Sequence, residues 1–519
     1  MRIGIDVGGT HTDAVLLEGR SVRSAVKTLT TADVSTGVFN ALEHVLSDSG
    51  VLESAVDAVM LGTTQFTNAV VERRQLSEVA AIRIGLPSGN GLPPMIAWPE
   101  DIAESLGGHT YMLKGGTLYD GRPVAELDHD EIQSTIEDIK SKGIDTIAIS
   151  AVFSPMSAEP ELLVAEQLRR AIPGANITCS HQIGRLGLLE RENAALLNAS
   201  LLKFSDQVVS SFGEALRDRG LECPFYISQN DGTLMDAEFV RQFPALTFAS
   251  GPTNSLRGAC ELTGLNDAIV IDIGGTTSDI GILQGGFPRE SNIVIDVGGV
   301  RTNFRMPDIL ALGLGGGSIV SEDGLSIGPR SVGHDLVREG LAFGGNTFTA
   351  TDLLVAANKL DLGEAGQAVE LNPEVLASGL ATIKKMLNEG IEKMMPSSDP
   401  LPVVLVGGGA VLVADKLEAA SEMHCPEHSG VANAIGAAIA QIGGEVERMV
   451  SYREIPRAEA IEQISAEART TAIAAGADPA TVRIADIEET TISYMAEGST
   501  RVRVKAVGDL ASSNREEPA

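Results

Sequence analysis

A duplicated segment is the feature of this sequence that most restricts its fold. Residues 6–19 read DVGGTHTDAVLLEG and residues 272–285 read DIGGTTSDIGILQG, with identical residues at seven of the fourteen positions. Each copy begins inside a run of β-branched and apolar residues, RIGIDV or AIVIDI, which is typical of a buried strand. Each copy therefore predicts a β-hairpin in which one strand enters a Gly-Gly-Thr turn and a second strand leaves it.

The turn residues of both copies indicate phosphate binding. Adjacent glycines let the backbone approach a phosphate because no Cβ intervenes. Successive N–H groups in such a turn form an anion-binding concavity, and a threonine hydroxyl adds a donor. Since hairpin formation alone does not require the same turn twice, we predict that both turns bind the phosphates of one ATP, through Gly8, Gly9, Thr10, Thr12, Gly274, Gly275, Thr276 and Thr277.

Two pairs of aspartates flank these glycines. Asp6 and Asp272 precede them and are predicted to hold Mg²⁺ or its waters, because hard cations prefer oxygen ligands. Asp13 and Asp279 return toward the same end of each hairpin and complete the predicted catalytic set. Carboxylates around a metal ion are expected in phosphoryl transfer, where the protein mainly positions groups and offsets charge. Turn or cap formation is the alternative role for each aspartate.

Two further glycine clusters extend the predicted nucleotide site. Gly407, Gly408 and Gly409 follow the apolar run VVLV and precede a helical pattern, AVLVADKLEAA, so we expect them to lie against the adenosine. Gly315, Gly316 and Gly317 are predicted to close on the phosphates or the substrate, with a flexible loop as the alternative.

Four polar residues are candidate substrate contacts. Thr63, Thr64 and Asn68 follow a short strand and are expected to face the cleft. Asp352 stands at the start of the helical pattern LLVAANKL. Capping of a helix is the rival interpretation for Thr63, Thr64 and Asp352, because Ser, Thr and Asp are favoured at helix N-termini.

Composition and charge limit the classes of partner. The chain has 519 residues, enough for two or three domains, and a formal net charge of −31, which disfavours nucleic-acid binding. Its apolar runs are as short as strands and predict no membrane span, and no secretory signal is recognised. The four cysteines lack metal-type or disulfide-type spacing, so a cytoplasmic protein with reduced thiols is expected.

The sequence also suggests a division of the chain. Residues 1–180 are predicted as a first lobe, residues 181–450 as a second lobe and residues 451–519 as a small α+β region with one helix and two strands. Within the first lobe, the glycine- and proline-rich residues 85–121 are predicted to be an irregular surface insertion. Residues 433–443, NAIGAAIAQIG, are predicted to form a helix with small residues on one face.

The order of these motifs resembles the hydantoinase A/oxoprolinase family, within the actin, sugar-kinase and heat-shock-ATPase superfamily. The resemblance extends from residue 3 to about residue 440, and the short part after Gly444 resembles a short subgroup. It is carried by the segments IDVGGTHTDAVL, LGTTQFTNAVVERR, LLERENAALLNASLL, NDGTLM, ASGPTNSLRGA, IDIGGTTSDIG, GLGGGSIV, GPRSVG, TATD and ANAIGAAIA.

The resemblance implies a fold and an activity. It implies an α/β, two-lobed, duplicated ribonuclease H-like architecture of the actin-like ATPase type. It also implies ATP and Mg²⁺ as cofactors and an ATP-dependent hydrolase that phosphorylates a cyclic amide or related carbonyl compound. A second subunit, encoded nearby, would complete the reaction.

Two other functions stay open from the residues. One is a small-molecule kinase that releases a phosphorylated product. The other is a non-metabolic ATPase that switches a protein partner, as in chaperones or filaments.

Overall fold

The computed structural model describes residues 1–8, 11–30, 34–118, 121–291, 294–363, 366–413, 415–491 and 499–511. Strands and helices are numbered along the chain. Two large sheets each contain one of the two duplicated hairpins, and a third sheet lies between them in sequence. Gly9 and Thr10, two of the predicted phosphate-binding residues, fall outside the described residues.

The first sheet has nine strands in the order β22-β23-β21-β10-β9-β4-β1-β2-β3. Strand β1 pairs antiparallel with β2 and parallel with β4. The strands of this sheet are β1 (Arg2–Val7), β2 (His11–Glu18), β3 (Ser21–Leu29), β4 (Ala58–Thr63), β9 (Phe225–Ser228), β10 (Thr233–Asp236), β21 (Gln441–Ser451), β22 (Arg483–Thr491) and β23 (Ser499–Gly508).

The second sheet has six strands, of which five lie in the order β13-β12-β11-β19-β20. Strand β12 pairs antiparallel with β11 and with β16, and β11 pairs parallel with β19. The strands of this sheet are β11 (Ala268–Ile273), β12 (Ser278–Gln284), β13 (Phe287–Pro288), β16 (Ile309–Leu312), β19 (Val403–Val406) and β20 (Met423–His424).

The two sheets repeat one arrangement. In the first, β3, β2, β1 and β4 lie side by side, and in the second, β16, β12, β11 and β19 do so with the same strand directions. The registers are also equivalent, because Asp6 lies opposite Asp13 and Asp272 lies opposite Asp279. The sequence repeat is therefore a repeat of structure, built on entering strands whose apolar residues are buried.

The third sheet corrects the prediction of an irregular insertion at residues 85–121. Four parallel strands lie in the order β6-β5-β7-β8, and β6 runs through the middle of the predicted insertion. Its side chains are mostly half-exposed, so the sequence shows no clean alternation there. The strands are β5 (Ala80–Leu86), β6 (His109–Lys114), β7 (Thr146–Ala151) and β8 (Asn176–Cys179), and two small hairpins elsewhere are formed by β14 (Ile295–Val297) with β15 (Val300–Thr302) and by β17 (Ser318–Val320) with β18 (Ile327–Ser331).

Thirteen helices are found among the described residues, and none of them has both the length and the apolar character that crossing a membrane requires. They are α1 (Val34–Ser49), α2 (Gln65–Glu72), α3 (Glu100–Ser105), α4 (His129–Ser141), α5 (Glu159–Ala171), α6 (Leu188–Asp218), α7 (Ala237–Gln242), α8 (Ser250–Thr263), α9 (Leu336–Glu339), α10 (Ala350–Ala356), α11 (Pro373–Met394), α12 (Ala432–Ile439) and α13 (Arg457–Ala474).

Two predicted helices are wrong in extent. After the glycines at 407–409 a 3₁₀ turn follows at residues 410–412, and the described residues of 413–420 form no α-helix. The helix predicted at 433–443 ends at Ile439, and strand β21 begins at Gln441. Gly444 lies in this strand, and helix α13 packs against its backbone. Only glycine fits there, because a Cβ would lie 2.2 Å from the nitrogen of Ala472.

Strands from all three predicted segments share the nine-stranded sheet. Strands β22 and β23, from residues 451–519, extend it through β21, and β9 and β10 join it from the predicted second lobe. The boundaries at 180 and 450 therefore do not follow the sheets, and they stay predictions about folding units.

Helices α8 and α12 connect the two sheets. Helix α12 packs on β1, β2 and β4 of the first sheet, whereas α8 packs on β11, β12 and β19 of the second, and the two helices contact each other. Glycines allow the contact: a Cβ on Gly258 would lie 1.8 Å from the carbonyl oxygen of Ala432, and one on Gly436 would lie 1.8 Å from that of Asn254. The backbones of the two helices therefore touch directly.

We predict that Gly258→Ala destabilises the protein by about 2 kcal/mol or more, since overpacking of a tight contact typically has this magnitude. Gly251→Ala on the same helix is the matched control, because its Cβ would meet its nearest atom at 3.7 Å and should change stability by less than ~0.5 kcal/mol. Urea unfolding of both variants measures the difference. Equal stabilities would contradict the close packing of α8 on α12.

Candidate functional site

A cavity of about 530 Å³ lies where the two hairpins meet. The first hairpin contributes Gly8 and Asp13 to its wall, and the second contributes Asp272, Gly274 and Gly275. The third glycine cluster, 407–409, lines the same cavity. Three motifs that are far apart in the sequence thus surround one space, which is large enough for a nucleotide.

The two hairpin turns close in the same way. The N–H of Gly8 donates to the carbonyl of His11 at 3.0 Å, and the N–H of Gly274 donates to that of Thr277 at 2.9 Å. In the second turn Gly275 and Thr276 are exposed, and their N–H groups meet no acceptor among the described residues. These N–H groups are therefore free to bind an anion.

A glycine lies beside each strand-end aspartate. Gly62, at the end of β4, leaves room for Asp6, because a Cβ there would lie 2.2 Å from its Oδ1. Gly407, which follows β19, leaves the same room for Asp272, again at 2.2 Å from Oδ1, and has a φ of +84°. Gly407 is predicted from the sequence only as an adenosine contact, and no sequence motif indicates this role for Gly62.

Asp6 is held behind the cavity and is not among the residues that line it. Its Oδ2 accepts a hydrogen bond from Nδ2 of Asn433 at 2.9 Å, and its Oδ1 lies 3.5 Å from Nδ2 of Asn254. Burial and the charge of Asp13 raise the pKa of Asp6 to about 6. Asp6 thus joins the two connecting helices to the first hairpin.

The asparagines on Asp6 belong to a second repeat that the sequence analysis missed. Residues 250–254 read SGPTN and residues 429–433 read SGVAN, and each segment lies at or just before the start of a connecting helix. The shared pattern S-G-x-x-N is a signal that could have identified Asn254 and Asn433. The structure brings both amides to one carboxylate.

The two inner aspartates differ in their partners. Asp13 forms an ion pair with Lys27, whose Nζ lies 2.5 Å from its Oδ1. Lys27 is opposite Asp13 in the sheet, whereas Ala311 occupies the equivalent place opposite Asp279. Lys27 also lines the cavity, and the sequence analysis missed it because no motif contains it.

The second hairpin has a surplus of negative charge. The hydroxyl of Ser255 donates to Oδ2 of Asp272 at 2.5 Å, but burial still raises the pKa of Asp272 above its ordinary value. Burial and the charge of Asp272 raise the pKa of Asp279 to about 7. These oxygen donors fit Mg²⁺, since a divalent cation would offset their charge, and Asp272 and Asp13 are the two that face the cavity.

The loop with three glycines supports the second hairpin from behind. The N–H groups of Gly316 and Gly317 donate to the carbonyls of Gly274 and Gly275 at 3.1 and 2.7 Å. A Cβ on Gly315 would lie 2.5 Å from the nitrogen of Thr276. Of the three, Gly316 alone lines the cavity, so the loop mainly fixes the turn.

Other predicted contacts lie outside the cavity wall. Thr12 is buried within β2, where its hydroxyl contacts that of Thr30 at 3.1 Å, and Thr277 is exposed on the turn. The Thr63 hydroxyl accepts from the N–H of Gln65 at 3.3 Å, whereas Thr64, the N-cap residue of α2, makes no side-chain capping hydrogen bond. Thr64 and Asn68 lie on the first turn of α2, and their role as substrate contacts stays a prediction.

The structure corrects the prediction for Asp352. This carboxylate is fully buried and forms a capping box with Thr349, whose N–H and hydroxyl donate to it at 2.7 and 2.8 Å. It also accepts from the N–H groups of Leu341 and Ala342. Its hydrogen-bonding capacity is used within the protein, so it is a structural residue.

One part of the cavity wall is apolar, which the sequence did not indicate. These side chains come from segments between the motifs, and two of them, Val411 and Leu412, follow shortly after the glycines at 407–409. They are Leu336, Val337, Phe343, Leu354, Leu360, Leu362, Val411 and Leu412. An apolar pocket joined to a polar, glycine-rich one suits a ligand with a flat base at one end and phosphates at the other.

We predict that Asp279→Asn stabilises the protein at neutral pH by on the order of 1 kcal/mol. The folded-state pKa of Asp279 is raised to about 7 from 3.8, so between these values the folded state binds more protons and its contribution to stability falls as pH rises. The variant should therefore exceed the wild type in urea unfolding at pH 7.5 and differ little at pH 4.5.

The exposed Asp399 supplies the control variant, Asp399→Asn, which should follow the wild type at both pH values. A wild-type advantage over Asp279→Asn at pH 7.5 would contradict the unpaired environment of Asp279.

Comparison with known proteins identifies proteins of similar sequence and a solved structure with a similar fold. The chain is similar to caprolactamase subunit alpha of Pseudomonas jessenii, with 25% identity over 430 residues that cover 76% of this chain and 60% of that subunit. It is also similar to the acetophenone carboxylase gamma subunit of Aromatoleum aromaticum, with 26% identity, covering 67% of this chain and 52% of that subunit. The chain thus spans little more than half the length of these relatives.

The crystal structure of the ATP-dependent caprolactamase from Pseudomonas jessenii has the same fold. The TM-score is 0.80 at 19% identity, over 100% of this chain and 89% of that chain. The predicted fold class is confirmed as an α/β architecture with a duplicated arrangement of strands.

Two family models match the sequence and together cover most of it. The hydantoinase/oxoprolinase N-terminal region matches residues 2–172, and the hydantoinase/oxoprolinase model matches residues 191–397. The resemblance of the motifs is therefore confirmed, and the chain belongs to the hydantoinase/oxoprolinase family.

Proposed function

We propose that this chain binds Mg²⁺ and ATP in the cavity between the hairpins and phosphorylates the carbonyl oxygen of a cyclic amide or a related carbonyl compound, which is then hydrolysed. The observation that carries the proposal is that both hairpins and the glycines at 407–409 line one cavity. The ATP-dependent caprolactamase and the acetophenone carboxylase subunit are consistent with such an activity.

The free N–H groups of the second turn support the position of the phosphates. Gly275, at the cavity wall, and Thr276, which follows it on the exposed turn, would donate to the phosphate oxygens, and the equivalent turn at Gly8 would do so from the other side. The base would lie in the apolar part of the wall, beside Gly408, where the backbone is open. This orientation directs the γ-phosphate toward the aspartates.

Mg²⁺ would supply the positive charge that phosphoryl transfer requires. Asp272 and Asp13 are the candidate ligands at the cavity surface, directly or through water. Asp6 would orient the site from behind, since its oxygens are already engaged by Asn433 and Asn254. Lys27 would bind a phosphate oxygen while it remains paired with Asp13.

A phosphoryl group would activate a poor electrophile. The carbon of an amide resists attack by water, and phosphorylation of its oxygen creates a better electrophile with a good leaving group. Both relatives are named as subunits, which supports the proposal that a second subunit completes the reaction. Four free cysteines and the use of ATP favour a cytoplasmic setting.

We predict that Lys27→Met weakens the binding of Mg·ATP by about 10-fold or more, because hydrogen bonds to charged groups contribute ~1.5–3 kcal/mol. The control is Arg23→Met on the same strand, whose guanidinium pairs with Glu18 and lies away from the cavity wall. Isothermal titration calorimetry gives both affinities. Absence of any binding of Mg·ATP to the wild type would refute the proposed nucleotide site.

Carbonyl compounds should stimulate release of ADP from the wild type. We expect the rate to rise severalfold with at least one of ε-caprolactam, hydantoin, 5-oxoproline and acetophenone, with a further rise when the second subunit is present. Asp272→Asn should lose the stimulation. A coupled assay of ADP measures the rate, and ³¹P NMR detects the products.

Two outcomes would favour the other candidate functions. Accumulation of a stable phosphorylated organic product would indicate a small-molecule kinase. Release of ADP that responds to none of the carbonyl compounds but responds to a protein partner would indicate a switch ATPase.

A further inference from the structure

A second cavity, of about 780 Å³, shares no lining residue with the nucleotide cavity. It lies where the end of β8, the turn between β9 and β10, and strand β21 meet. The turn carries the segment NDGTLM, residues 230–235, to which the proposed nucleotide site gives no role. A cavity of this volume can enclose a small organic molecule.

A buried glutamate orients a histidine at the wall of this second cavity. Nδ1 of His181 lies 2.6 Å from Oε2 of Glu161, and Glu161 is fully buried. The glutamate also accepts from the hydroxyl of Ser180 at 2.6 Å and from the N–H groups of Ala151 and His181 at 2.9 and 3.1 Å. Burial alone would raise the pKa of Glu161, but the hydrogen bonds from His181 and Ser180 outweigh it and lower the pKa.

The other ring nitrogen of His181, Nε2, is available to accept a proton. Because an ionised carboxylate only accepts hydrogen bonds, Nδ1 carries the proton in the neutral ring and Nε2 carries the lone pair. Among the described residues Nε2 meets no hydrogen-bond partner, and the side chain retains 17% exposure at the cavity wall. This is the arrangement of a general base that a carboxylate holds in one tautomer.

The same residues are less suited to a metal ion. Ligand atoms of Glu161, Cys179 and His181 lie within 4.8 Å of one another. However, burial and the charge of Glu161 raise the pKa of the Cys179 thiol to about 12, and only a thiolate is a good ligand. Nδ1 of His181 and both oxygens of Glu161 are already engaged in hydrogen bonds.

The charges in the wall favour an uncharged ligand. The remaining wall combines amide side chains such as Gln182 and Asn230 with apolar ones such as Met156 and Phe239. Each cationic side chain of the wall is already paired with a carboxylate: Arg185 with Glu290, Arg305 with Glu445 and Glu447, Arg448 with Glu467, and Lys505 with Asp231.

We propose that the second cavity binds a neutral cyclic amide or ketone and that the Glu161–His181 pair removes its acidic proton. The N–H bond of the amide, or the α C–H bond of the ketone, breaks, and the proton moves to Nε2 of His181. The electron pair of that bond delocalises onto the carbonyl oxygen, and the Glu161 carboxylate offsets the imidazolium charge. This substrate class rests on the proposed function, in which a cyclic amide or related carbonyl compound is the phosphoryl acceptor.

Exchange of the methyl protons of acetophenone in D₂O, followed by ¹H NMR without ATP, tests the base directly. The wild type should accelerate the exchange, and His181→Ala should lower the rate by about 100-fold, in the range of general-base catalysis. Imidazole added to the buffer should restore part of the rate in His181→Ala. The control His129→Ala, at the exposed start of α4, should match the wild type.

A second variant tests the orienting carboxylate. Glu161→Gln should lower the exchange rate about 10-fold, and imidazole should not restore it because the ring of His181 still occupies its place. Circular dichroism and calorimetry with Mg·ATP are the tests that both variants fold. Both variants should bind Mg·ATP like the wild type, since the first cavity contains neither of these residues.

Three results would overturn the inference: no exchange by the wild type above the buffer rate, an equal rate in His181→Ala, or a stoichiometric metal ion in the wild type that His181→Ala lacks. If exchange fails while Mg·ATP binds and carbonyl compounds stimulate ADP release, the inference falls and the proposed function stands. If exchange occurs without any binding of Mg·ATP, the proposed function falls instead.

Discussion

The contact between helices α8 and α12 sets the geometry of the cavity between the two hairpins. Each helix is fixed to a different sheet, and Gly258 and Gly436 let their backbones touch. The contact brings Asn254 and Asn433 to the carboxylate of Asp6. The distance between the two hairpins is therefore determined by the glycines of the helix contact and by the two amides on Asp6, of which only that of Asn433 also lines the cavity.

The duplication places two similar turns around one cavity, but the copies are not equivalent in charge. Lys27 neutralises Asp13 in the first copy, whereas Ala311 leaves Asp279 without a cation in the second. Burial then raises the pKa values of Asp272 and Asp279. The two halves of the repeat therefore differ in charge: the first has a lysine beside its carboxylates, and the second has an excess of carboxylates. A divalent ion would be most stabilising beside the second half.

The two cavities suggest a division of chemical tasks within one chain. The first has glycine turns and carboxylates, as a triphosphate and a metal ion require, and the second has a carboxylate–histidine pair with neutral amides. They lie on different parts of the nine-stranded sheet, which extends from the first hairpin through β9 and β10 to the strands near the C-terminus. The long sheet is the element that links them.

Much of the cavity proposed to bind the nucleotide could be predicted from the sequence because its parts are local. A strand, two glycines and an aspartate on the returning strand specify a turn by themselves, and their repetition indicated the duplicated fold. The apolar runs of β1 and β11 likewise need only neighbouring residues to be recognised. Gly407 was identified for the same reason, at the end of a buried run.

The tertiary structure decided what depends on residues that are distant in sequence. Lys27 gains its role only from the register of β3 on β2, and Asp352 loses its predicted role because the backbone at Leu341 and Ala342 reaches it. Gly443, predicted as the end of a helix, lies instead in strand β21, where a Cβ on it would meet the side chain of Thr233 at 2.8 Å. The sequence by itself determined the two turns and their chemistry, whereas the position of each charge relative to the others was decided by packing, because electrostatic interactions depend on distances that no local pattern encodes.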